Sequence, residues 1–176
     1  MRLGTRLERK MPMNRRQEII DALEQGLERS IRFFKSLTPD QLAELIYQDD
    51  VRWTTQQVAA HFITIEKSMH WLFRDILSGG EGSPRDFDLD RYNKSQTRKL
   101  DGVPLDGLID QLGQVRQETI DIVSAMTESD LDREGRHAFH GHGKLERFIR
   151  WAYEHAQIHE DEIRAALKTK AKGEDP

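Results

Sequence analysis

The chain has 176 residues, 33% of them charged and 36% hydrophobic, with 27 basic and 31 acidic side chains and a formal charge of −4. That length predicts one domain with its own core, and the slight acidic balance speaks against nucleic acid or an anionic membrane as partner. No apolar run approaches the roughly 18 residues of a membrane span and no signal-peptide pattern opens the chain, so a cytoplasmic protein is expected; the absence of cysteine excludes disulfides, thiolate ligands and a cysteine nucleophile.

Residues 1–13 are basic, carry Gly4 and Pro12 and have no apolar period, which predicts a loose tail. Asn14-Arg-Arg-Gln17 reads as a capping box that opens a helix running to about Lys35. Its apolar stripe is Ile20, Leu23, Leu27, Ile31 and Phe34. Gly26 inside it either weakens the helix or lets a neighbour approach closely. Thr38-Pro-Asp-Gln41 repeats the capping logic for a short helix to about Ile46. Thr54-Thr-Gln-Gln57 starts a long helix to about Ser78, with Val58, Phe62, Ile65, Met69, Leu72, Phe73 and Ile76 on one face. His61 lies on that same side.

Gly79-Gly-Glu-Gly-Ser-Pro84 breaks the pattern. Asp88 to Lys99 predicts a short helix or an ordered crossover, and Gly102-Val-Pro104 ends it. A third long helix is expected from about Leu105 to Met126, its stripe formed by Leu105, Leu108, Leu112, Val115, Ile122 and Met126, with Thr119 inside it. Thr127-Glu-Ser-Asp130 is one more capping signal. Residues 132–143 read as loop and contain His137, His140 and His142. The last helix is expected over about Lys144 to Lys168, with a charged tail at 169–176. Four long amphipathic helices with almost no strand signal predict an all-α four-helix bundle over 14–168. The connection after the second long helix is long, about 25 residues, enough to traverse the bundle as a crossover.

The stretch Trp151-Ala-Tyr-Glu-His155-Ala-Gln-Ile-His159-Glu-Asp-Glu162 sets two histidines four residues apart on a helix. At that spacing their Cβ atoms lie about 5–6 Å apart on one face. The face also carries Phe148, Ala152, Ile163 and Ala166, so both imidazoles point where water is scarce. An unpartnered polar group there costs roughly 2–7 kcal/mol. Either the pair hydrogen-bonds within the core or it holds a metal. Ligands in a bundle converge from facing helices, so His61 is the third candidate. Three neutral imidazoles leave coordination positions open, as catalytic rather than closed structural sites do.

Two stretches in this order resemble the DinB-like superfamily, metal-binding bundles that include the bacillithiol and mycothiol S-transferases. The first is Trp53-Thr-Thr-Gln-Gln-Val-Ala-Ala-His61-Phe-Ile-Thr-Ile-Glu66 and the second runs from Leu145 through His155 and His159 to Ile163. The resemblance spans residues 15 to 168. It implies a divalent ion, commonly zinc, nickel or iron, held by His61, His155 and His159. For some relatives it also implies transfer of a low-molecular-weight thiol to a small-molecule substrate, and a homodimer. With no cysteine in the chain, such a thiol would arrive as a cosubstrate.

Two rival readings remain open from sequence. One is a metal-dependent hydrolase; the chain lacks the glutamate that follows the first histidine in metalloprotease helices, so a base must come from elsewhere. Glu66 is the candidate, although it sits roughly 140° around the helix from His61, which predicts a surface or supporting role. The other is a bundle that binds a ligand or partner without catalysis. His137, His140 and His142 form an alternative chelating loop, expected instead to be solvated. Glu154, Glu160 and Glu162 are expected on the wet flank of the last helix, and Trp53, Trp71 and Trp151 as packing residues. Tyr153 has no assignable role.

Overall fold

The computed structural model describes residues 14–47, 52–171 and 173. It contains α1 (Arg15–Lys35), α2 (Pro39–Ala43), α3 (Thr55–Leu77), α4 (Leu89–Arg98), α5 (Leu105–Ser124) and α6 (Leu145–Ala171). Two short antiparallel pairs join them, β1 (Leu45–Tyr47) with β2 (Trp53–Thr54), and β3 (Glu134–His137) with β4 (Gly141–Lys144). The expected tail at 1–13 lies outside the described residues, and α6 runs on to Ala171.

The caps act as the sequence implies, with one exception. Thr38 and Thr54 both accept from the backbone N–H three residues on, while Gln41 and Gln57 reach back to the cap N–H. Asn14 accepts from Gln17 N at 2.7 Å, but the Gln17 side chain turns forward to Asp21 instead of closing the box. The short helix after Thr38 ends at Ala43, and the chain turns into β1, where Thr55 N donates to Glu44 O.

The bundle consists of α1, α3, α5 and α6. α1 packs on α5 and α6, and α3 packs on the same two helices, so consecutive helices in sequence do not all neighbour each other. Arg15 pairs with Glu146, and Ser30 with Glu160, so α1 and α6 run parallel. Glu66 pairs with Arg116 and His70 with Thr119, so α3 and α5 run parallel as well. That second pairing requires a crossover along the bundle. It is supplied by residues 78–104, with α4 lying against α3.

The buried face of α1 follows the expected stripe only in part. Leu23 and Phe34 are buried as expected, while Ile20, Leu27 and Ile31 are only partly buried and Ile19, Gly26, Ser30 and Phe33 face inward instead. Gly26 is there because α6 comes close: a Cβ would sit 2.9 Å from Tyr153 Cβ and 3.3 Å from an Arg116 nitrogen. Gly26→Ala, which should favour an isolated helix by about 1 kcal/mol, is therefore expected to destabilise this protein by roughly 1–3 kcal/mol. Urea denaturation checks it; a stabilised variant would refute the close contact.

The core is divided. One apolar layer holds Met69, Phe73, Leu145 and Phe148, and the other holds Phe34, Val58, Phe62 and Ile163. Between them lies a buried polar layer. Arg116 is 2% exposed and donates to both carboxylate oxygens of Glu66, at 2.6 and 2.9 Å. It also donates to Leu23 O of α1 and Ala152 O of α6. Glu66 further accepts from Thr119. One guanidinium thus touches all four helices, and of the two places expected for Glu66, at the surface or in a supporting role, the surface one is corrected: Glu66 is buried. Glu160 is corrected too: it is fully buried, held by Ser30 and Arg29, and not on the wet flank. The expected loop at 132–143 is a hairpin lying across α3, where Gly135 rests on Ile76.

Candidate metal centre

The reciprocal cap at Thr54 fixes where α3 begins and so sets its rotation. Seven residues on from Thr54, that rotation turns His61 into the bundle, 3% exposed. His155 and His159 come from the facing stretch of α6, half-buried and one turn apart. The three Nε2 atoms converge. His155 Nε2 is 3.4 Å from His61 Nε2 and 2.9 Å from His159 Nε2. Among the described residues this is the group of histidines and carboxylates whose ligand atoms gather closely enough to hold an ion.

The separations suit one. With metal–nitrogen bonds of about 2.0–2.1 Å, ligands at a right angle sit roughly 2.9 Å apart and ligands at the tetrahedral angle roughly 3.4 Å apart. Both values occur here, so the geometry fits a divalent ion without choosing between coordination numbers. The electrostatics agree. Burial, reinforced by the His159 charge, pushes His61 down to about 3. Burial and then the neighbouring His61 and His159 push His155 well below its ordinary value. Burial also lowers His159, against the upward pull of Glu162. Neutral imidazole is the form that ligates.

Neighbouring side chains orient the three histidines. His159 Nδ1 lies 3.0 Å from Glu162 Oε2, and the Tyr47 hydroxyl bonds to both. A proton on Nδ1 shared with Glu162 leaves the lone pair on Nε2, facing the cluster. Trp53 packs on His61 with ring centroids 4.6 Å apart. His61 Nδ1 is buried without a partner among the described residues, a cost of about 1–3 kcal/mol that accompanies aiming Nε2 inward.

The cluster forms one wall of a cavity of about 760 Å³. Trp53, Ile65, Phe139, Trp151 and Ile158 supply apolar walls, and Asp90, Arg91, Asn93 and Lys94 of α4 supply polar ones. Trp53 and Trp151 are therefore cavity walls and not only packing residues, while Trp71 is 56% exposed. His137, His140 and His142 do not gather into a ligand set. His137 Nδ1 is taken by two backbone N–H groups, His140 Nδ1 accepts from Arg147, and His142 is exposed. Sequence reasoning missed Tyr47 and the role of Glu162. Glu162 stands three residues after His159, a spacing that could have marked it. Tyr47 has no sequence signal, because β1 reaches the site only through the fold.

A family model of the DinB superfamily matches residues 22–163. No curated protein matches the chain. Among solved structures, YfiT from Bacillus subtilis, described as a probable metal-dependent hydrolase with an unusual four-helix bundle topology, is similar at TM-score 0.72 and 16% identity, over 98% of this chain and 95% of that one. The colibactin self-resistance protein ClbS, solved with double-stranded DNA, is similar at TM-score 0.66 and 12% identity, over 92% and 98%. The sibling lethal factor precursor DfsB is similar at TM-score 0.67 and 14% identity, over 88% and 96%. Identities this low speak for the fold alone. A four-helix bundle with this helix order and a family match across most of its length make the chain a member of the DinB superfamily.

Proposed function

We propose that His61, His155 and His159 hold a divalent ion, zinc, nickel or iron, and that the protein transfers a low-molecular-weight thiol to an electrophilic small molecule. The observation that carries this reading is the convergence of three Nε2 atoms on the wall of a cavity large enough for both reactants. When bound, the ion supplies a charge that keeps a coordinated thiol deprotonated at neutral pH. The thiol sulfur bonds to the electrophilic carbon, the leaving group departs with its electron pair, and the thiol proton passes to solvent.

The chain's own groups bind and orient the reactants. Trp53, Trp151 and Phe139 offer apolar surface to them, and Arg91 and Lys94 offer positive charge to a carboxylate on the thiol. Thiol transfer suits this cavity better than hydrolysis because few carboxylates stand ready as a base. Asp90 is exposed on α4, and Glu162 is engaged by His159 and Tyr47. The second reading, a metal-dependent hydrolase, draws on Asp90 and on the description of YfiT. A DNA-binding reading draws on ClbS and runs against a net charge of −4.

The test uses untagged protein loaded in turn with each ion and assayed with cysteine or glutathione and monochlorobimane, beside p-nitrophenyl acetate without thiol. Ion-dependent thioether formation is expected. Ester hydrolysis without thioether would replace this reading with the hydrolase. Neither reaction, with ion bound and fold intact, would leave a binding module. Glu162→Gln is expected to weaken ion retention about tenfold, because the imidazole it orients loses a carboxylate partner. Competition with a chelator measures this, and unchanged retention would remove Glu162 from the site.

A further inference from the structure

The β3–β4 hairpin carries His137, a polar group outside the three-histidine cluster. The hairpin is tied to the crossover: Arg136 N donates to Glu81 O at 2.8 Å, and Ser83 N donates to Arg136 O at 2.7 Å. Gly82 between them has φ +83°, and a Cβ there would meet Arg136 O at 2.4 Å, so this strap needs glycine. The next residue, His137, is held at the end of β3 and is 5% exposed. Its ring packs on Phe148. Nδ1 accepts from Phe139 N at 3.0 Å and His140 N at 3.3 Å. An imidazole nitrogen that accepts carries no proton, so the ring proton sits on Nε2. No residue described here accepts from it.

His137 lines the cavity beside the metal centre and also a second, apolar chamber of about 330 Å³. Ile65 and Leu89 are shared in the same way, so the two spaces adjoin there. Met69, Leu72, Phe87 and Tyr92 wall the second chamber. A fixed donor with no acceptor among the described residues, placed where an apolar chamber meets the three-histidine cavity, calls for a ligand that is apolar at one end and carries an acceptor oxygen.

We propose that His137 selects the electrophilic substrate: its Nε2–H donates to a carbonyl-type oxygen while the apolar or aromatic body lies in the second chamber. The electrophilic character of the substrate rests on the thiol-transfer reading; the hydrogen bond and the apolar seat do not. The donor is set by the hairpin and acts whether or not an ion is bound.

The experiment compares two probes of nearly equal shape, 2-acetylnaphthalene and 2-ethylnaphthalene, by tryptophan fluorescence on ion-free and ion-loaded protein. In His137→Phe the ketone is expected to bind about 3- to 10-fold more weakly, the worth of one neutral hydrogen bond, and the hydrocarbon equally well. His137→Asn, which can accept from the turn and still donate, should recover part of the difference. In the wild type, the His137 Nε2 nitrogen resonance should move on adding ketone and stay still on adding hydrocarbon, a readout that needs no variant. Equal weakening of both probes would make His137 a packing residue and overturn the proposal. So would an unmoved resonance at saturating ketone. Ketone selectivity without thiol transfer would refute the reaction and leave the role of His137 standing; thiol transfer without ketone selectivity would do the reverse.

Discussion

Replacing His155 by alanine is expected to strip the ion from the protein. His155 is the middle member of the proposed ligand set, its Nε2 within 3.4 Å of His61 Nε2 and 2.9 Å of His159 Nε2. Structural zinc sites with four ligands bind with about 10–16 kcal/mol, so one ligand is worth roughly 3 kcal/mol, or about 150-fold in affinity. A two-histidine remnant does not survive dialysis against a weak chelator at that loss. Untagged parent protein should carry close to one ion per chain by elemental analysis, and His155→Ala and His61→Ala close to none. The helices should persist by far-UV circular dichroism, because the polar layer and both apolar layers are untouched. Parental metal in both variants would sink the three-histidine site.

The other large effect lies away from the site. Arg116→Met alone, or Glu66→Ala alone, leaves one buried charge without its partner. Such a loss costs about 3–5 kcal/mol, against a total stability of roughly 5–15 kcal/mol. For a chain of this size that is a fall of roughly 6–20 °C in Tm. The Arg116 loss also frees Leu23 O and Ala152 O, so it should be the worse of the two. The double variant Glu66→Met/Arg116→Met should recover part of the loss, since a packed apolar replacement of an ion pair is often neutral. A cycle of the two singles and the double measures the coupling. Singles within about 1 kcal/mol of the parent would mean that water reaches the pair.

What was legible in the sequence follows from what repeats. The long helices were visible because apolar residues recur at steps of 3 or 4 and because threonine caps mark the starts of α2 and α3. The crossover was visible as a connection too long for a tight turn. His61, His155 and His159 could be placed on core faces because each rides on such a stripe. The polar layer was invisible for the same reason. Arg116, Glu66, Ser30 and Glu160 are buried only because each meets a partner on another helix, and no single-helix pattern encodes a partner. The hairpin was missed because Glu134-Gly-Arg-His137 and Gly141-His-Gly-Lys144 alternate no apolar residues. Its order comes from the strap to Glu81 and Ser83 and from Gly135 resting on α3.

The crossover has a consequence for how this protein can change. The histidines stand on α3 and α6, whose inner faces belong to the bundle and should exchange their amide hydrogens only on global opening. Asp90, Arg91 and Lys94 stand on α4, which packs chiefly on α3 and has just Thr97 buried. Such an element can open and reclose by itself. The cavity is therefore walled by two cooperative units of unequal stability. Substitutions on the weaker unit can reshape which molecules enter while the three-histidine cluster keeps its geometry.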